Sequence, residues 1–77
     1  MNKKELVRIL VENDLKVTPQ RIAILEVILS LDDHPSAEDI INYIRINQPN
    51  LTMTTVYNNL FTFTKKVLLK RYIATVM

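Results

Sequence analysis

Cysteine and glycine are both absent from this 77-residue sequence, and histidine occurs only once. Without cysteine the chain can form neither a disulfide framework nor a thiolate metal site. The lack of glycine excludes a glycine-rich phosphate loop, and a single histidine excludes a zinc helix with two. The pairs Asp32/Asp33 and Glu38/Asp39 fall in a predicted turn and at a predicted helix start, where acids have structural roles. We therefore predict that the protein is not an enzyme.

Long apolar runs are missing as well. The best candidate, "IAILEVILSL" at residues 22–31, has ten residues and contains Glu26. A membrane-spanning helix needs about 20 apolar residues, and a signal peptide needs an uninterrupted apolar stretch after a basic start. We expect a soluble protein, and the lack of cysteine is compatible with the reducing cytoplasm as its location.

Acidic residues are confined to one half of the sequence. Residues 40–77 contain five basic and no acidic side chains, whereas residues 1–39 contain five basic and eight acidic ones. Such a bias is typical of a surface that faces a polyanion, but an ordinary solvated face explains five charges equally well.

The remaining composition is that of one small folded domain. Hydrophobic residues make up 48% of the sequence and charged residues 23%, so a packed core is expected. No repeat, low-complexity stretch or linker divides residues 1–77. A domain of this size buries only about 60% of the surface of its unfolded chain, so we expect marginal stability.

The first half of the sequence predicts two helices. In "KKELVRILVEN", residues 3–13, apolar residues recur at helical spacing and predict an amphipathic helix. Thr18 is suited to cap a second helix, with Pro19 at its first position. The following "QRIAILEVILSL" is apolar on most sides, which predicts a buried helix that ends near "DDHP". The apolar residues of the first helix are Leu6, Val7, Leu10 and Val11.

A third helix is predicted between two prolines. Ser36 lies three residues before Asp39, a spacing related to the capping box, and Pro49 ends the segment. Its predicted apolar stripe consists of Ile40, Ile41 and Ile44.

The fourth predicted helix, "MTTVYNNLFTFTKK", has two contrasting sides. Thr52 is suited to cap it, and Lys65 and Lys66 in its last turn complement the helix dipole. Tyr57 and Phe61 fall at the borders between the two sides. The apolar stripe consists of Met53, Val56, Leu60 and Phe63. The opposite side, which we call the polar face, consists of Thr54, Thr55, Asn58, Thr62 and Lys65.

The last eleven residues, "VLLKRYIATVM", are rich in β-branched and aromatic residues and have the length of one or two strands. Four helices followed by a short β segment predict a mainly α domain with a small β wing. This order is that of a winged helix-turn-helix.

The polar face has the side chains that contact base pairs in DNA. Asparagine can form two hydrogen bonds with the edge of adenine, and threonine and tyrosine can contact thymine methyl groups. Lysines at the end of the helix can neutralise phosphates that flank the groove. The alternative is that threonine and asparagine are simply tolerated on a solvated surface, and the pattern alone leaves both interpretations open.

Three segments in the same order carry a resemblance to a known family. "LKVTPQRIAILEVI", "HPSAEDI" and "PNLTMTTVYNNLFTF" resemble the N-terminal DNA-binding domain of the ferric uptake regulator (Fur) family, most closely its peroxide-sensing repressor branch, over about residues 5–72. The resemblance implies a winged helix whose fourth helix enters the major groove of an A/T-rich inverted repeat. Such proteins usually act as dimers that repress metal-uptake or oxidative-stress genes.

The same resemblance implies roles for individual residues. Tyr57 and Asn58 would be the main base-contacting residues, with Thr54 and Thr55 beside them. The implied phosphate contacts are Lys16, Thr18, Arg21, Lys70 and Arg71.

In proteins that resemble this one, the histidine at the position of His34 joins ligands from a C-terminal domain to hold iron or manganese, and the family also has a structural zinc site. That C-terminal domain is not among these 77 residues. We therefore expect no cofactor in this chain on its own, and His34 is a metal ligand only by resemblance.

Two departures from the family pattern favour an alternative function. Val67 stands where the family has a glycine, and "YIATVM" does not continue the usual wing pattern. An unpaired apolar strand with Tyr72, Ile73 and Val76 predicts a homo-oligomer formed through this edge. In the alternative, the chain is a truncated protein-interaction module that self-associates or pairs with a full-length homologue without productive operator binding.

Overall fold

The computed structural model describes residues 2–31 and 35–66. They form four helices: α1 (Lys3–Glu12), α2 (Pro19–Ser30), α3 (Ala37–Asn47) and α4 (Met53–Thr64). No strand occurs within these two ranges, and none of the four helices has the length and apolar composition that a membrane crossing requires. The predicted α part of the fold is confirmed, whereas the predicted β wing lies outside the described residues.

Each helix is preceded by an N-cap residue whose side chain accepts a hydrogen bond from the backbone N–H three residues further on. For the predicted caps Thr18, Ser36 and Thr52 these bonds measure 3.2, 3.1 and 3.2 Å. The backbone N–H of Ser36 in turn donates to Asp39 Oδ2 at 3.1 Å, which completes a reciprocal capping box. Asn2 caps α1 in the same way. These bonds satisfy backbone donors that no helix can satisfy internally, so the capping residues fix where the helices start.

The core lies around α2, which packs against each of the other three helices. This arrangement explains why α2 is apolar on most sides, and it confirms the prediction that the second helix is the buried one. The three isoleucines predicted for the third helix are also buried. The core consists of Leu6, Leu10, Leu15, Ile24, Leu25, Val27, Ile28, Ile40, Ile41, Ile44, Val56, Leu60 and Phe63.

The apolar face of α1 is narrower than predicted. Leu6 and Leu10 are buried, but 58% of Val11 is exposed, so the prediction that Val11 belongs to the apolar face is wrong. Ile9 packs against the core instead. With 3.6 residues per turn, Ile9 lies about 80° from the midline between Leu6 and Leu10, whereas Val11 lies about 120° from it and so turns toward solvent.

The turn between α1 and α2 reverses the chain without glycine. Asn13 is buried, and its Nδ2 donates a hydrogen bond of 2.7 Å to the carbonyl of Ile9. Asp14 adopts a φ of 59°, a left-handed conformation that aspartate tolerates better than most residues. Leu15 then returns to the core, and its N–H donates to the carbonyl of Leu10 at 2.9 Å. The turn leaves Lys16 exposed just before α2.

Candidate functional site

The inner side of α4 anchors this helix in the domain. Val56, Leu60 and Phe63 are completely buried, and Met53 is half-buried against the same core. The predicted apolar stripe is therefore confirmed. Because three large side chains are buried on this side, the opposite side of α4 faces away from the core.

The polar face of α4 is turned outward. Thr54, Asn58 and Lys65 are exposed, while Thr55 and Thr62 are half-buried at its edge. No acidic residue occurs in α4 or anywhere else in residues 40–77. This surface is therefore polar and carries positive but no negative side-chain charge of its own.

The hydroxyl groups on the polar face differ in their availability. Thr55 Oγ1 accepts a hydrogen bond of 2.9 Å from Thr52 Oγ1, and Thr62 Oγ1 donates at 2.9 Å to the carbonyl of Asn58. Both hydroxyl groups are thus engaged within the helix. The exposed Asn58 side chain has two amide N–H donors and a carbonyl acceptor, which together can match the edge of a base. Asn58 and Thr54 are therefore the better placed of these residues to bind a partner.

Two aromatic side chains lie beside these polar groups. Tyr57 is 44% exposed and Phe61 is 50% exposed, the latter more than a border position predicts. The ammonium of Lys65 lies 4.2 Å from the centre of the Phe61 ring, which is cation–π geometry. The sequence alone did not predict this pair. It orients the Lys65 side chain back along α4 rather than off the end of the helix.

Arg21 connects the start of α2 to α4. Its Nε donates a hydrogen bond of 2.9 Å to Asn59 Oδ1, and its Nη1 donates one of 3.1 Å to the carbonyl of Lys16. Asn59 Nδ2 in turn donates at 2.8 Å to the carbonyl of Thr55. Sequence reasoning proposed Arg21 only for phosphate contact and did not single out Asn59. Nothing in the residue type distinguishes Asn59 from its exposed neighbour Asn58.

The other predicted phosphate contacts divide into two groups. Lys16 is exposed and lies next to Arg21, whereas Thr18 is half-buried and its Oγ1 serves as the cap of α2. The bond between Arg21 and Asn59 brings this corner of the domain beside α4. Lys70 and Arg71 lie outside the described residues.

The described residues do not supply a metal site by themselves. Within residues 2–31 and 35–66, no three histidine, cysteine, aspartate or glutamate side chains come together as metal ligands. His34 lies outside those ranges. We therefore assign no metal-dependent step to this part of the chain.

A small helical domain whose outward helix face is polar and free of acids has the features of a binding domain rather than of an active site. The chain belongs to the ferric uptake regulator family, whose model it matches over residues 12–75. Membership in a family of regulators agrees with the resemblance described above and confirms that the chain is not an enzyme.

Three relatives illustrate the extent of the similarity. The peroxide operon regulator of Bacillus subtilis (strain 168) is 42% identical over 67 residues, which cover 87% of this chain and 46% of the relative. The peroxide-responsive repressor PerR of Staphylococcus saprophyticus is 39% identical over 51 residues, or 66% and 34% of the two chains. PerR of Staphylococcus aureus (strain Mu50) is 41% identical over 49 residues, or 64% and 33%. The chain thus spans less than half the length of these relatives.

Proposed function

We propose that this chain is the DNA-binding domain of a transcriptional repressor, with a winged helix-turn-helix fold over residues 1–77. Family membership supports the proposal, as do the names of the relatives, which are a peroxide operon regulator and peroxide-responsive repressors. By analogy the domain acts in the cytoplasm on genes of the peroxide response.

Helices α3 and α4 fit the two helices of the helix-turn-helix. α3 ends at Asn47, residues 48–52 form a short turn, and α4 begins at Met53 and packs against α3. In this motif the second helix lies in the major groove and the first crosses the phosphate backbone. We therefore propose that α4 is the recognition helix.

The observation that carries the proposal is the exposure of Asn58 and Thr54 above the buried stripe of α4. A side chain held on a rigid helix can match hydrogen-bonding groups within the small tolerance that base recognition requires. In our proposal Asn58 pairs with an adenine, and the Tyr57 ring and the Thr54 and Thr55 methyl groups contact thymines. These preferences favour an A/T-rich operator, and Thr62 lies at the edge of the same surface.

Phosphate contacts would come from the basic groups on either side of α4. Lys65 at one end and Lys16 at the α2 corner are exposed. Arg21 keeps N–H groups beyond the two that it uses within the domain. Thr18, Lys70 and Arg71 complete the proposed set, the last two on sequence grounds alone.

The proposal is tested by fluorescence anisotropy with a labelled A/T-rich inverted repeat and a scrambled duplex of the same base composition. We expect tighter binding to the inverted repeat. If four phosphates are contacted, affinity for both duplexes should fall roughly a hundredfold between about 50 and 200 mM salt, because neutralised phosphates release counterions. Equal affinity for the two duplexes would contradict sequence-specific recognition.

The alternative function, a module that self-associates or pairs with a full-length homologue, depends on the predicted C-terminal strand, which lies outside the described residues. Sedimentation equilibrium distinguishes the two proposals. A dimer that still prefers the inverted repeat fits a repressor, since a two-fold dimer matches a two-fold operator. An oligomer that does not discriminate between the duplexes supports the interaction module, and a monomer at tens of micromolar contradicts self-association.

A further inference from the structure

Arg21 and Asn59 form the one polar connection that the described residues show between the side chains of two different helices. We infer that these two residues are positioning residues, which fix the rotation of α4 and thereby the direction in which Asn58 faces the DNA. The inference rests on the proposed function, because it assigns to the pair a role in base recognition. It adds a second role to the proposed phosphate contact of Arg21, which would use the guanidinium N–H groups that are not engaged within the domain.

The Arg21 end of this connection is held at three points. Its backbone N–H donates to the Thr18 cap at 3.2 Å, and its side chain donates through both Nε and Nη1. Because the guanidinium is planar, two bonds from neighbouring nitrogens fix its plane as well as its position. The second of these bonds ends on the carbonyl of Lys16, so the turn before α2 is part of the same unit.

The Asn59 end is equally constrained. Its Oδ1 accepts from Arg21 and its Nδ2 donates to the carbonyl of Thr55, one helical turn earlier. Only one orientation of the amide satisfies both partners, because the oxygen must accept and the nitrogen must donate. Because the Asn59 amide is also bonded to the backbone of α4, it cannot rotate freely, and its bond to Arg21 connects Arg21 to the helix itself.

Apolar packing cannot supply this precision by itself. Val56, Leu60 and Phe63 determine which side of α4 is buried, but apolar contacts are not directional and tolerate small rotations of a helix. A hydrogen bond weakens steeply as its angle departs from linearity. Since Asn58 directly precedes Asn59 in the helix, a rotation that breaks the Arg21 bond also moves the Asn58 amide.

A small rotation of α4 should affect specific binding to the operator more than general affinity for DNA. A bidentate contact to a base requires hydrogen-bond geometry, so a displacement of about 1 Å abolishes it. Contacts of flexible lysines with phosphates tolerate the same displacement, because a charge interaction depends weakly on angle. Loss of the Arg21–Asn59 connection should therefore lower binding to the operator and spare binding to other sequences.

The test compares Asn59→Leu with a matched control, Asn47→Leu. Asn47 Nδ2 donates to the carbonyl of Tyr43 at 3.0 Å, the same bond along a helix that Asn59 makes, but without a link to another helix. Affinities for the inverted repeat and the scrambled duplex are measured at several salt concentrations. We expect Asn59→Leu to reduce the ratio of the two affinities about tenfold or more, the equivalent of one hydrogen bond to a charged group. The scrambled affinity, its salt dependence and the ratio in Asn47→Leu should not change.

Substitution of Arg21 removes the same hydrogen bond from its other end, and this test remains informative if Asn59→Leu does not fold. Arg21→Met should reduce the ratio about as much as Asn59→Leu, and the double variant no further, because both remove the same contact. Arg8→Met on α1 controls for the loss of one positive charge. Circular dichroism establishes that each variant is folded.

The outcomes separate the two proposals. A wild-type chain with no preference for the inverted repeat overturns the proposed function and this inference together. A wild-type preference that Asn59→Leu retains overturns the inference alone. The same holds if Arg21→Met weakens binding to both duplexes equally, which would make Arg21 a simple phosphate contact.

Discussion

Helices α2 and α4 have the same length and the same type of cap, yet they differ in how many helices surround them. Each has 12 residues, a threonine N-cap and four buried residues. α2 packs against all three other helices, whereas α4 packs against only α2 and α3. The side of α4 that no described helix covers carries the polar face. Both helices therefore contribute to the core, and the uncovered side of α4 is the one that we propose for binding.

The difference between the two helices indicates where a substitution can change DNA binding without changing the free energy of unfolding. In α2 most side chains contact other helices, so a change in the sequence changes the free energy of unfolding. On the outer side of α4 a change alters the surface without disturbing the packing below. We expect the energetics of folding and of DNA recognition to be nearly independent for exposed residues of α4 and inseparable in α2.

The largest effects are expected for completely buried residues, which should behave alike in α2 and α4. Ile24 in α2 and Leu60 in α4 are both completely buried. Replacing either by alanine removes apolar contacts and leaves a cavity, at a cost of about 2–5 kcal/mol in the free energy of unfolding. Urea denaturation measures this cost. Val11→Ala is the control, because this exposed position should change stability by less than about 0.5 kcal/mol.

If the total stability lies near the low end of the usual range of about 5–15 kcal/mol, either core variant leaves a measurable fraction of the protein unfolded. A cost at Leu60 far below that at Ile24 would mean that α4 is not anchored as firmly as α2. The proposal that α4 holds Asn58 and Thr54 in fixed positions would then be contradicted.

The next largest effect is expected for an exposed residue of α4, where DNA recognition should change and stability should not. Asn58→Ala should leave the free energy of unfolding within about 0.5 kcal/mol of its original value, since the side chain is exposed. It should cost about 1–3 kcal/mol of discrimination at one base pair of the operator. Affinities for a series of inverted repeats with single base-pair substitutions measure this loss. Asn42→Ala, at an exposed position of α3, is the matched control.

If Asn58→Ala weakened binding to every duplex in the series by the same factor, Asn58 would not contact a base. The recognition surface would then have to be sought among the other exposed residues of the domain.

Loss of the capping threonine should destabilise the protein equally in α2 and in α4. Thr18→Ala and Thr52→Ala each remove a side-chain acceptor from a backbone N–H at 3.2 Å. Each loss should cost about 1 kcal/mol in the free energy of unfolding, and serine at the same position should restore most of it. Urea denaturation of all four variants checks this. A loss at Thr18 that serine does not restore would point to a role of its methyl group rather than its hydroxyl.

The four helices could be predicted because their signals are local. Caps such as Thr18 and Ser36 lie within three residues of the N–H groups that they bind, and apolar periodicity indicates which side of a helix is buried. Periodicity was less reliable for the width of that side, as Val11 shows. How far a buried face extends around a helix depends on the neighbouring helices, and these are not encoded in the helix itself.

The candidate site was only partly predictable for a related reason. The polar face follows from the spacing of residues within α4, so it could be derived from the sequence. The partner of Arg21 lies 38 residues away, and no periodicity links two such positions. Asn59 therefore looked like any other polar residue of α4 until the helices were placed against each other. The Phe61–Lys65 pair was missed although it is local, because Phe61 was placed at the border of the apolar stripe and Lys65 was considered only for the helix dipole and for phosphates.

The smallest predicted effect concerns Lys65. It follows the end of α4 as the C-cap instead of lying in the last turn, where the sequence had placed it together with Lys66. The C-cap of α2 is the uncharged Leu31. Lys65→Met keeps an unbranched side chain next to the Phe61 ring and removes the charge. If Lys65 neutralises one phosphate, the slope of log affinity against log salt should become shallower by about 1, on every duplex alike. Between about 50 and 200 mM salt this corresponds to roughly a threefold smaller loss of affinity.

Lys4→Met, at an exposed position of α1, distinguishes a local phosphate contact from a change in net charge. Equal slopes for the two variants would mean that Lys65 acts only through the net charge of the domain. Phe61→Leu then tests the ring itself, because it removes the cation–π contact while leaving an apolar side chain and the charge of Lys65 in place. An exposed contact of this kind contributes about 0.5–1 kcal/mol. If the ring orients the ammonium toward a phosphate, Phe61→Leu should weaken binding without altering the salt slope, since the charge remains.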